Sequence, residues 1–142
     1  MKKSEFHRIA TIDIGTNGIK FKQYRIEVNK KSKIQQDTFS RVNIRLGEDV
    51  FNYGLISDNT QKKLFKELSK LIESVKKRNI KWIGICATSA MRSAENGKDI
   101  CERLASELNV DVRLLSGNDE AYFLKYLNTC LLYTSPSPRD TL

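Results

Sequence analysis

One stretch restricts the fold more than any other. Ile9-Ala10-Thr11-Ile12-Asp13-Ile14 is a mainly apolar run, Ile19 and Phe21 begin an alternating one, and Gly15-Thr16-Asn17-Gly18 lies between them. Two strand-like runs around a glycine-flanked turn predict a β-hairpin, because glycine accepts the φ > 0 of tight turns. Asp13 breaks the pattern, since it stands between Ile12 and Ile14 where a buried strand favours an apolar residue. A buried carboxylate needs a partner. Two readings are balanced at this point. Asp13 caps its own turn, or it serves a cation while the glycine-flanked backbone amides serve a phosphate.

The downstream pattern adds strands and then helices. Ile19 and Phe21 alternate in one phase and Tyr24, Ile26 and Val28 in the other, so a bulge or a loosely specified edge strand is expected near Lys22-Gln23. A third strand is predicted over about Ile34–Leu46, completing an antiparallel meander that continues into a loop. Arg41, Asn43 and Arg45 would share one strand face, which could meet an anion but reads better as solvated. Asp58-Asn59-Thr60-Gln61 predicts a helix start, with Leu64, Leu68, Leu71, Ile72 and Val75 on its apolar face. Its lysine-rich face, Lys62 to Arg78, reads as solvated surface.

Trp82-Ile83-Gly84-Ile85-Cys86-Ala87 predicts a buried parallel strand, ending at Thr88-Ser89-Ala90-Met91-Arg92-Ser93. Small hydroxyl residues at the end of such a strand mark the usual ligand edge of an open α/β sheet. Arg92 is the strongest anion candidate there, because guanidinium grips phosphate oxygens bidentately. Asn96-Gly97-Lys98-Asp99 starts a helix that buries Ile100, Leu104 and Leu108; Val110–Leu115 is a further strand. Ser116 or Asn118 caps a last helix. Asp119 and Glu120 in its first turn would, standing alone, serve only the helix dipole.

Composition narrows the function classes. With 25 Lys and Arg against 17 Asp and Glu the chain carries +8, which points to an anionic partner or merely to solubility. Cys86, Cys101 and Cys130 lack metal-site spacing and there is one histidine, so zinc is not expected and a reducing, cytoplasmic setting is. No apolar run is long enough to span a membrane, and Met1–Arg8 does not read as a signal peptide. Both prolines lie in Leu131–Leu142, a segment that reads as translated vector or adapter sequence. Residues 129–142 are therefore set aside as a non-native tail, and the natural chain is expected to be longer.

Four motifs now stand in one order: Ile12-Asp13-Ile14-Gly15-Thr16-Asn17, Arg45-Leu46-Gly47-Glu48, Ala87-Thr88-Ser89-Ala90-Met91-Arg92 and Ser116-Gly117-Asn118-Asp119-Glu120-Ala121. In this order and spacing, from about Arg8 to Asn128, the chain resembles the exopolyphosphatase / guanosine pentaphosphate phosphatase (Ppx/GppA) family. The resemblance implies an α/β fold, the first half of an actin-like ATPase (ribonuclease H-like) domain. Its three-strand antiparallel meander would be extended by parallel strands with flanking helices. Residues 1–128 would be a truncated N-terminal subdomain.

By the same resemblance Glu120 matches the general base that activates water, and Arg92 the arginine that holds substrate phosphate. Gly15, Thr16 and Asn17 match the loop that wraps phosphate, and Asp13 the carboxylate near magnesium. The chemistry suits these residue types, because phosphoryl transfer is mostly positioning plus charge neutralisation. The implied substrates are inorganic polyphosphate or guanosine pentaphosphate; a membrane or nucleic-acid partner is not implied, and a homodimer of the full-length protein is compatible.

The chain departs from the family pattern at Gly18, where a hydroxyl residue is frequent, at Lys20, where arginine is common, and at Tyr122, where arginine usually follows the glutamate motif. The family's second phosphate loop does not follow Glu120, so the 142-residue chain is expected to be inactive alone. Two rival readings are an ATP-using kinase or ATPase on the same fold, and a basic polyanion-binding module.

Overall fold

Alternation along the first strand decides how the whole sheet faces. In the computed structural model, which describes residues 5–27, 34–80, 82–119 and 121, β1 runs over Phe6–Gly15, β2 over Gly18–Glu27 and β3 over Ile34–Asn43. Ala10, Ile12 and Ile14 of β1 are buried, as are Ile19 and Phe21 of β2. Their sequence neighbours point to the opposite face, because side chains alternate along a strand. β4 (Trp82–Ala87) lies parallel to β1, and β5 (Val112–Leu114) parallel to β4. The order is β3-β2-β1-β4-β5, an antiparallel meander extended by parallel strands.

Helices cover the apolar face. α1 spans Leu46–Tyr53, α2 Asp58–Lys77, α3 Ser89–Ser93 and α4 Gly97–Leu108. α2 buries Leu64, Leu68, Ile72 and Val75; α4 buries Ile100, Cys101 and Leu104. These side chains form one core with Ile12, Ile14, Ile19, Phe21, Ile85 and Ala87 of the sheet. No described helix is long and apolar enough to cross a membrane.

Four local expectations change. The third strand ends at Asn43, and Leu46–Tyr53 is a helix where a loop was expected. Its C-terminus is closed by Gly54 at φ 73°, whose amide donates to the Val50 carbonyl. Leu46 is fully buried at its start, so the last apolar residue of the alternation belongs to this helix. The cap of α2 is Ser57, one residue before the predicted Asp58; the Thr60 amide donates to its Oγ.

A register shift does fall where it was expected, beside Gln23, but β2 lies between β1 and β3 and is no edge strand, and β1 and β2 pair continuously from Phe6↔Glu27 to Gly15↔Gly18. The irregularity lies in the β2–β3 ladder, where Gln23 pairs with Thr38 and Tyr24 with Gln36, leaving Asp37 as the extra residue. Gln23 simply occupies the buried face, where its Oε1 accepts from Arg78 Nη1 at 3.3 Å. Finally, Ser116 caps the next helical residues. Its Oγ accepts from the Asp119 amide at 3.1 Å, and Asp119 Oδ2 accepts from the Ser116 amide at 3.4 Å. Glu120, the body of that helix and the segment 129–142 lie outside the described residues.

Candidate functional site

The hairpin turn consists of Thr16 and Asn17, closed by the Gly15↔Gly18 pair. Of the two glycines only Gly18 has positive φ, at 151°. A Cβ there would run into the Val42 carbonyl oxygen, so β3 approaches the turn too closely for any side chain at this position. The absence of a hydroxyl at Gly18, noted as a departure in the sequence, is thus matched by the packing.

The turn is held from outside. The amide of Ile44 donates to the Asn17 carbonyl at 3.1 Å, and the amide of Gly47 to the Thr16 carbonyl at 2.9 Å. Both turn carbonyls are therefore engaged away from an incoming anion, whose natural partners are amides. A Cβ on Gly47 would collide with Thr16 Cγ2. That contact explains the glycine of the Arg45-Leu46-Gly47-Glu48 motif, which clasps the turn. Arg45, on the N-terminal side of α1, pairs with Glu48 at 3.3 Å and no longer shares a strand face with Arg41.

Across the sheet, one row of registered residues reads Arg41 on β3, Lys20 on β2, Asp13 on β1, Cys86 on β4 and Arg113 on β5. Asp13 is half-buried, with Oδ1 shut off from solvent. Cys86 is half-buried too; burial pushes its thiol pKa up, and the Asp13 charge pushes the same way. Cys101, in the core, is raised to about 11 by burial. Both thiols stay protonated at neutral pH, which makes them poor nucleophiles.

A cavity of about 230 Å³ opens beside this row. Asp13, the turn from Gly15 to Gly18, Lys20 and Arg41 line it together with Thr88 and Ser89. Thr88 is fixed by its amide, which donates to the Ile14 carbonyl at 3.1 Å. The hydroxyl residues at the end of β4 therefore sit beside the first turn, as a ligand edge would require. Lys20 and Arg41 also line the cavity, although the sequence favoured a solvated face for Arg41 and gave Lys20 no role. The cross-strand register, which sets them side by side, is what favours the anion-facing reading.

Arg92 is not among the lining residues of this cavity. Its Nη1 donates to the Leu115 carbonyl at 2.8 Å, while the Leu115 amide donates to the Ala87 carbonyl at 2.9 Å. Arg92 thus ties α3 to the end of β5, directly before the Ser116–Asp119 turn.

Among the described residues no three His, Cys, Asp or Glu side chains gather as a metal cluster. The side-chain oxygens at the cavity are the Asp13 carboxylate, the hydroxyls of Thr16, Thr88 and Ser89 and the Asn17 amide, all hard donors. That set fits magnesium carried largely by water and substrate phosphates, since magnesium usually takes only one or two protein carboxylates.

Comparison with known proteins bears on this arrangement. A family model described as the Ppx/GppA phosphatase family matches residues 26–133. A bifunctional 3-dehydroquinate synthase/phosphatase of Fusobacterium nucleatum is 30% identical over 128 residues, covering 84% of this chain and 18% of that protein. Exopolyphosphatase 1 of Mycobacterium tuberculosis is 24% identical over 114 residues, covering 80% of this chain and 33% of the relative. The chain therefore spans a third or less of these relatives. The crystal structure of the Aquifex aeolicus member of the Ppx/GppA family superposes with a TM-score of 0.79 at 21% identity, over 91% of this chain and 40% of that one. This likeness shows the fold, the N-terminal half of the actin-like ATPase architecture.

Proposed function

The chain belongs to the Ppx/GppA phosphatase family, and from that premise we propose that it is the N-terminal part of a phosphohydrolase acting on a phosphoric anhydride. The substrate is inorganic polyphosphate, shortened from its end, or guanosine pentaphosphate, relieved of its 5′ phosphate. The observation that supports this reading is the convergence of Asp13, the Gly15-Thr16-Asn17 turn and Thr88-Ser89 on one cavity.

In this reading the turn amides and the Thr88 and Ser89 hydroxyls receive the terminal phosphate. Oriented dipoles of this kind stabilise charge as it develops on phosphoryl oxygens. Asp13 would hold the metal side of a magnesium–substrate complex, which would supply further charge neutralisation. Arg92, anchored to Leu115, brings its fixed positive charge to substrate phosphate and holds the Ser116–Asp119 turn in place. Glu120, next in the chain, takes the proton of the attacking water.

The test is phosphate release from long-chain polyphosphate with magnesium by the full-length enzyme, with Glu120→Gln as control. Release that falls by at least about 100-fold in the variant, with substrate still bound, is the expected result. Undiminished release overturns the role of Glu120. Absence of release from both polyphosphate and guanosine pentaphosphate, with ATP-dependent phosphorylation of an acceptor instead, overturns the reaction class. The 142-residue chain alone is expected to show no multiple turnover.

A further inference from the structure

The row across the sheet carries one cation more than it needs. Asp13 stands opposite Lys20 in the β1–β2 register, and Lys20 stands opposite Arg41 in the β2–β3 register. Like charges on directly opposed cross-strand positions repel. Lys20 has the Asp13 carboxylate one strand away; Arg41 has on that side only another cation. The ion pairs among the described residues engage Arg8, Arg45, Lys70, Arg103 and Arg113, and neither Lys20 nor Arg41 takes part in one. Both nevertheless line the same cavity as the turn and Thr88. Arg45, the other arginine of this segment, is turned to Glu48 and does not line it.

We infer that Arg41 is a substrate-binding residue of this cavity, taking a second phosphate of a chain whose terminal phosphate occupies the Gly15–Gly18 turn. The inference rests on the proposed phosphohydrolase reading and deepens it, because it assigns the site to a run of linked phosphates and not to one. Adjacent strands lie about 4.8 Å apart, so Arg41 stands about two strand spacings from Asp13. A lone phosphate can be held by the turn and the Asp13 side of the cavity, whereas a linear polyphosphate running from there over β2 toward β3 meets Lys20 and then Arg41. Guanidinium suits that position because it binds phosphate oxygens bidentately and keeps its charge at every working pH. Arg41 is exposed on the edge strand β3, so its replacement leaves the core intact.

The experiment is a binding titration with the full-length enzyme in the Glu120→Gln background, so that turnover does not consume the ligand. Tripolyphosphate and orthophosphate are each titrated in magnesium, with Arg41→Gln and Arg41→Glu beside the parent. The expected result is a loss of about 10-fold in tripolyphosphate affinity for Arg41→Gln and more for Arg41→Glu, with orthophosphate affinity changed less than about 2-fold. Equal losses for both ligands, unchanged affinity for tripolyphosphate, or no tripolyphosphate binding by the parent each overturn the inference. Failure of the wider reading is seen separately, as wild-type enzyme that releases no phosphate from either proposed substrate.

Discussion

Ile12 and Asp13 are neighbours in β1, yet they belong to different parts of the molecule. Ile12 is 1% exposed and packs among Ile14, Ile19, Phe21 and the helices; Asp13 faces the other way, toward Lys20, Arg41 and the cavity. One face of the sheet is a core and the other carries the charged row. The strand's two-residue period alone keeps them apart, and a one-residue slip would exchange them. Continuous β1–β2 pairing from Phe6 to Gly15 makes such a slip costly. The strand that carries the site is anchored from behind by the core its other face packs into.

The two faces should respond to substitution in opposite ways. Ile12→Ala is expected to cost about 3 kcal/mol of stability, because it leaves a cavity in a filled core, and chemical denaturation would read it as a lower midpoint. Asp13→Asn on the opposite face should leave that midpoint nearly unchanged while lowering phosphate release by the full-length enzyme about 100-fold. Equal stability losses at both positions would break the distinction.

Gly18 tests the seam where the two faces meet at the turn. Gly18→Ser restores the hydroxyl frequent in the family, yet it should destabilise by about 1–3 kcal/mol, since φ is 151° and the Val42 carbonyl stands in the way. A stabilised Gly18→Ser variant would mean that β3 lies farther from the turn than described.

Smaller effects belong to the α1–α2 junction, away from both faces. Ser57→Ala should cost about 1 kcal/mol through loss of the cap. The neighbouring Asp49 accepts from the Ser57 hydroxyl at 2.7 Å and from the Ser57 amide at 2.9 Å. Burial pushes its carboxyl up, but hydrogen bonds from Thr60 and Ser57 outweigh this and hold it below the ordinary value of 3.8. A carboxyl depressed in the folded state contributes stability above its unfolded pKa and loses it as pH falls through the folded one. The Ser57–Asp49 contribution should therefore be constant above about pH 4 and fade below it. Asp49→Asn, measured by thermal unfolding across that window, should flatten the decline.

Much of this arrangement is legible in the chain itself. The glycine-flanked turn, the alternation of Ile12, Ile14, Ile19 and Phe21, and the helical spacing of Leu64, Leu68, Ile72 and Val75 are local patterns with fixed periods. They suffice for hairpin, meander and α/β order. They also place Asp13 and Thr88-Ser89 at strand ends, where an open sheet binds ligands. What local pattern could not supply are partners distant in the chain. Gln23 reads as a break in phase until Arg78, 55 residues away, bonds it in the interior. Arg41 and Arg45 look equivalent until α1 begins between β3 and α2 and turns Arg45 toward Glu48. Arg92 looks like a free phosphate clamp until the Leu115 carbonyl, 23 residues on, accepts from it. Sequence by itself determined which face of β1 and of the first half of β2 is apolar, because that follows from a period of two. Only tertiary structure decided which charges share a cavity, because that depends on which strands lie side by side.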